Sequence, residues 1–188
     1  MASGRRLAPT TEEDSPTTEA TQQTETAEAD ETAETETTEA ESTYAYEGPE
    51  YEIVAVDEDQ GPAELDRFWV FTEAQEYSTP AYQDLMKRII TDIAVQEGSA
   101  NLIVEVVTHE EVIEAESAST IAGYMQGHDG DYLRDVLGPL EAEHWVGSYT
   151  GGFDPGSYEA SDSPDAYEII WFPAATPEFE TWQPSTGA

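Results

Sequence analysis

Apolar and polar positions divide this chain sharply. From Ala8 to Thr43 there is no Val, Ile, Leu, Met, Phe, Trp or Tyr, and every aromatic residue of the chain lies at or after Tyr44. The first segment has no apolar surface to bury, so nothing offsets the entropy lost on ordering it. Residues 1–48 are expected to be a disordered, acidic Thr/Glu-rich tail or stalk, extended by its own repulsion. Residues 49–172 are expected to form a single α+β globular domain, and 173–188 an extended, proline-containing C-terminal tail.

Within the domain, Tyr51–Val56 (YEIVAV) and Leu65–Thr72 (LDRFWVFT) are rich in β-branched and aromatic residues and read as strands. An acidic turn, Asp57–Gly61, lies between them, and the spacing allows antiparallel pairing. If Phe68 and Val70 face inward, Trp69 faces outward. Tyr82, Leu85, Met86, Ile89, Ile90 and Ile93 recur at helical spacing and predict a long helix over about 80–97. Ser78 or Thr79 can cap it, Pro80 suits its first position and Gly98 stands just past its end. Asn101–Val107 (NLIVEVV) reads as a buried strand. Thr108-x-x-Glu111 has capping-box spacing and predicts a short helix over about 109–118. Residues 119–137 read as two short helical pieces around a turn at 127–130. Leu140–Tyr149 and Ala166–Phe172 are further strands, and Gly151–Asp165 is a long loop. This order predicts an α+β fold: a mainly antiparallel sheet of roughly four to five strands, one long helix across one face, and short extra helices.

Charge changes the picture more than any motif does. The chain has 42 acidic residues against 6 basic ones, and Lys87 is the only lysine. Beyond residue 48 there are still 29 acids and 4 bases, so the charge belongs to the domain as well as to the tail. Self-repulsion of this size opens a compact domain at low ionic strength. Molar salt, with a Debye length of about 3 Å, removes most of it. The composition reads as halophilic. The competing reading is an acidic protein that binds a basic partner or mimics nucleic acid. Such a protein concentrates its acids on one element, and here they are spread along the chain. Nucleic acid is excluded as a partner because no basic patch exists to neutralise phosphates. The absence of cysteine excludes disulfides, thiolate metal sites and cysteine nucleophiles.

Only Leu7 follows Arg5-Arg6 before the polar tract, so neither a signal peptide nor a membrane span is expected in this chain. An acidic tract ahead of one domain is the layout of a mature surface lipoprotein. That layout favours an extracytoplasmic surface if the N-terminus is processed or truncated, and the cytoplasm otherwise.

Tyr51–Val56, Arg67-Phe-Trp-Val-Phe, the helix over about 80–97 and Asn101–Val107, with Glu141-Ala-Glu-His-Trp and Gly147–Gly152 after them, carry a resemblance. In element order and hydrophobic pattern they resemble a small α+β domain of unknown function found in bacterial and archaeal extracytoplasmic proteins. The resemblance implies a surface or accessory module and brings no catalytic residues with it.

Candidate chemistry is sparse. His128-Asp129-Gly130-Asp131 sets an imidazole and two carboxylates around a turn, so His128, Asp129 and Asp131 are candidate ligands for Ca²⁺ or another hard cation. No other cofactor is implied. His109 beside Glu110 and Glu111 has the residue types of acid–base chemistry, or simply of a solvated helix start. Gly147-Ser148-Tyr149-Thr150-Gly151 misses the nucleophile-elbow pattern by one position. Trp69 and Trp145 are candidate binding residues, as part of an aromatic surface or as core. The sequence therefore favours a non-enzymatic halophilic surface or accessory module that binds a protein or small ligand. The alternatives are a small hydrolase or metal-dependent enzyme using the His/Asp cluster, and a cytoplasmic structural protein of a halophile.

Overall fold

The computed structural model of the protein describes residues 44–73, 80–172 and 178–186. All of them belong to one compact unit, Glu41–Ala188. Most of the expected stalk lies outside the described residues. Tyr44–Gly48 are described, and Tyr46 packs against the core with its ring 5.6 Å from that of Tyr51.

Strands β1 (Tyr51–Gln60) and β2 (Leu65–Thr72) form an antiparallel pair. The expected turn at Asp57–Gly61 is displaced, because β1 runs on to Gln60 and the chain turns at residues 61–64. Asp57 is not a turn residue: its side chain is buried and hydrogen-bonded, which holds this part of the chain against β2. Gly61, with φ of 68°, supplies the left-handed residue that the displaced turn needs.

Helix α1 (Pro80–Gln96) matches the predicted helix, and Gly98 follows it with φ of 65°, as a C-terminal cap requires. The expected N-caps, Ser78 and Thr79, lie outside the described residues. Tyr82, Met86, Ile89, Ile90 and Ile93 are buried on the face that meets the sheet. Each such side chain contributes roughly 1.5–3 kcal/mol by leaving water.

The helix returns the chain to the starting end of β2, so β3 (Ile103–Val107) pairs parallel to β2. Among the described residues the other four pairings are antiparallel, so the sheet is mainly antiparallel as expected, and this one parallel pair makes it mixed. It also has six strands, in the order β1-β2-β3-β4-β7-β8.

After β3, helices α2 (Glu110–Glu116) and α3 (Ile121–Gly127) follow. A helical run then passes through α4 (Gly130–Tyr132), a π-helical segment (Leu133–Leu137) and α5 (Gly138–His144). Pro139 cannot donate a backbone hydrogen bond, and its ring crowds the preceding turn. The run widens there, with Gly138 N–H bonding back to the carbonyl of Leu133.

Strand β4 (Trp145–Gly151) therefore starts later than the expected Leu140–Tyr149. Gly-Pro followed by Leu-Glu-Ala-Glu starts a helix, and helix propensity wins over the first half of that segment. The long loop contains a short hairpin, β5 (Phe153–Asp154) with β6 (Glu159–Ala160), and a 3₁₀ turn at Pro164–Ala166. Strand β7 (Tyr167–Trp171) pairs with β4. The expected C-terminal tail contributes β8 (Glu178–Thr181), which pairs antiparallel with β7 and forms one edge of the sheet.

The two faces of the sheet carry different layers. Phe68, Val70, Val104, Val106, Tyr149, Ile169 and Trp171 meet α1 in the main apolar core. The opposite face holds a smaller cluster of Trp69, Val107, Val112 and Ile113, with Leu140 and Trp145 packed against it. Among the described residues no helix is long and apolar enough to cross a membrane.

Candidate binding groove on the second sheet face

Strand alternation and register place three rungs across β2, β3 and β4 on the face away from α1. The first rung is Phe71, Val107 and Trp145. The second is Trp69, Glu105 and Ser148, and the third is Arg67, Ile103 and Thr150. The first rung lies in the small cluster under α2 and α5. The third lines an open cavity of about 230 Å³, together with Leu65, Pro62 and Phe153. The face thus grades from covered and apolar, through charged and buried, to open.

Glu105 sits at the centre, only 5% exposed. It accepts a hydrogen bond from Trp145 Nε1 at 3.1 Å and another from the Ser148 hydroxyl. Arg67 Nε stands 3.7 Å from Glu105 Oε1, an ion pair too long for a hydrogen bond. That Nε is buried and has no hydrogen-bond partner among the described residues. Burial pushes the Glu105 carboxyl up to about 7; Ser148, Arg67 and Trp145 oppose the shift, and the nearby Glu116 adds to it. Glu141 of α5 is likewise pushed up to about 7, by burial, by a shared hydrogen bond with Glu116 and by their repulsion.

Asp57 is the second buried carboxylate of this face, with a different solution. It accepts from Trp69 Nε1 at 2.8 Å, Ser117 Oγ at 2.8 Å, Ala118 N at 2.9 Å and Ser119 N at 3.2 Å. Burial favours its neutral form, but these four donors together outweigh burial and hold its carboxyl below the ordinary value. Asp57 latches the end of α2 onto the sheet.

The structure brings the candidate residues Trp69 and Trp145 together, with ring centroids 5.4 Å apart. Trp69 does point away from α1, yet it is only 1% exposed, because α2 covers it. Its role is to wall the site and hold Asp57, while Arg67 lies 6.0 Å above its ring. Trp145 is half-buried and faces Glu105.

His128, Asp129 and Asp131 take separate partners. Asp129 caps the next turn by accepting from Tyr132 N at 2.9 Å. Asp131 pairs with Arg134 at 2.9 Å, out in solvent. His128 is sandwiched between the rings of Tyr124 and Tyr132, at 4.2 Å and 4.3 Å. Both of those tyrosines donate to Glu111, at 2.8 Å and 2.6 Å, and these two bonds keep the Glu111 carboxyl below its ordinary value. His109 caps α2 through the Glu111 N–H, where the capping-box pattern had placed Thr108, and its ring lies 5.3 Å from that of His144, tilted by 49°. Among the described residues no group of three or more His, Asp or Glu side chains could hold a metal ion together.

Sequence reasoning missed Glu105, Arg67 and Asp57. A signal existed for Glu105, the one charge inside an otherwise apolar strand, and for Arg67, a rare base in an aromatic one. Asp57 carried none, since it is one acid among 42. No family model, curated protein or solved structure matches the chain.

Proposed function

We propose that this chain is a non-catalytic binding module of a salt-adapted protein, and that the open rung of the second sheet face takes its ligand. The observation that carries the reading is the cavity itself. Leu65, Ile103 and Phe153 give it an apolar lining, and Arg67, whose Nε stands 3.7 Å from the buried Glu105, is the one basic residue among the described residues that line it. A small ligand with an apolar body and an anionic or hydrogen-bond-accepting head fits that chemistry. The buried carboxylates support a binding role over a catalytic one, since their hydrogen bonds go to Trp and Ser side chains and backbone amides that fix their positions.

Salt adaptation is supported by the dispersal of exposed acids. They stand on β1 (Glu52, Glu58), β2 (Asp66), α1 (Asp84), α2 (Glu110, Glu114), α5 (Glu143) and β8 (Glu178). The melting temperature of the full chain is expected to rise steeply from low to molar KCl, and a salt-independent melt contradicts this part of the reading.

The groove is tested by titrating the protein with hexanoate and hexanol while following backbone amide NMR shifts. Hexanoate is expected to shift amides around residues 65–67, 103 and 150, and Arg67→Met to weaken it about tenfold while leaving hexanol unaffected. Shifts scattered over the surface, or no shifts with either probe, would overturn the assignment.

A further inference from the structure

The two edges of the six-stranded sheet are protected unequally. β8 is 4 residues long and carries Glu178 and Glu180, which is how natural edges avoid pairing. β1 is 10 residues long, pairs on one side only among the described residues, and exposes Ile53, Val54 and Val56 at 36%, 42% and 43%. A bulge puts Ile53 and Val56 on one face, with Val54 as its extra residue. Ile53 lies opposite Val70 and Val56 opposite Phe68, and both of those partners face α1. Two residues three apart share a face only because the register shift at Val54 inserts one extra position. Among the described residues this apolar strip is left partly exposed at the margin of the sheet.

At the N-terminal end of the same strand is a cavity of about 480 Å³. Glu50, Glu52 and Glu73 line it together with Tyr51 and Phe71, and among the described residues no basic one does. Among the described residues the edge therefore offers unpaired backbone, then an apolar strip, then a carboxylate pocket with aromatic walls. A second copy of this chain would bring the same carboxylates against them. A segment of opposite charge has no such penalty.

We propose that β1 is a docking edge for an extended segment of a partner protein whose side chains alternate between basic and β-branched. Its backbone adds a seventh strand, its apolar side chains cover Ile53, Val54 and Val56, and one lysine or arginine enters the Glu50/Glu52/Glu73 pocket. This site is separate from the groove and does not depend on it.

The test uses the full chain in 1 M KCl, where attraction survives only at contact range, with a Debye length of about 3 Å. The probe is an eight-residue peptide alternating lysine and valine, read by titration and by amide hydrogen exchange. Saturable binding is expected, with slowed exchange confined to Tyr51–Val56. The double substitution Ile53→Thr, Val54→Thr keeps β propensity and is expected to weaken binding at least tenfold, with exchange in α1 unchanged. Equal binding of a lysine/serine peptide, protection elsewhere, undiminished binding to the double variant, or no binding at all overturns the proposal. So does a dimer of the chain alone, seen by sedimentation and lost in the double variant, because the occupant would then be a second copy.

Discussion

The two faces of one sheet solve different problems with the same strands. Against α1, alternate residues of β2, β3, β4 and β7 are apolar or aromatic and the layer is a packed core. On the opposite face the same strands present Arg67, Glu105 and Ser148, and the helical cover stops short of the last rung. Burying the Glu105 carboxylate beside a guanidinium whose Nε–H has no partner among the described residues adds little stability, unlike the apolar packing of the first face. The comparison sets a close-packed apolar layer on the first face against buried, hydrogen-bonded charge on the second, and the proposed binding role draws on the second.

Cavity formation on the α1 face gives the largest effect. Ile90→Ala is expected to lower unfolding free energy by about 2–5 kcal/mol in chemical denaturation at molar salt. A loss below about 1 kcal/mol would mean that this face is not the close-packed one.

On the second face, Asp57→Ala strands four donors and is expected to cost about 2–4 kcal/mol. Asp57 also sets a pH sign. Its folded pKa is depressed, so its contribution is present above the ordinary aspartate range and is lost as pH falls through the depressed value. Acid unfolding of Asp57→Ala should accordingly show a shallower dependence than wild type at low pH. An unchanged dependence would remove Asp57 from the latch.

Glu105 has the opposite sign. Its folded pKa is raised, so its contribution is fully present below 4.5 and is lost as pH rises to about 7. Glu105→Gln keeps an acceptor for Trp145 and leaves Arg67, which is 30% exposed, able to reach water. The variant is expected to match wild type near pH 4 and to be more stable by about 1–3 kcal/mol at pH 8. Destabilisation at pH 8 with no change near pH 4 would show that the charge, rather than the shape, is required.

The smallest stability effect belongs to the open rung. Thr150→Phe, which fills the groove, is expected to change stability by less than about 1 kcal/mol while abolishing hexanoate-induced shifts. Retained binding would move the ligand site elsewhere.

The α1 face was legible in the sequence because periodicity reports it. Tyr82, Met86, Ile89, Ile90 and Ile93 sit at helical spacing, Phe68 and Val70 at strand spacing, and Gly98 marks the stop. The second face was not, since its features arise between elements. Trp69 was expected outward and is outward from α1, but periodicity cannot announce a second helical layer laid over it. Trp145 was singled out with Trp69, and their contact exists only because β3 brings β2 and β4 together. The parallel pairing of β2 with β3, the helical start of the segment 138–144 and the sixth strand depend on connection geometry and local competition that hydrophobic pattern does not encode.

The contrast between faces rests on Glu105 being desolvated beside the groove. Carbon-13 NMR of its side-chain carboxyl, followed through a pH titration of the full chain in molar KCl and assigned with Glu105→Gln, measures that state directly. A midpoint near 7 is the result this account predicts. A midpoint at an ordinary exposed glutamate value, near 4.3, would mean that water reaches the centre of the face, and the division between the two faces would not stand.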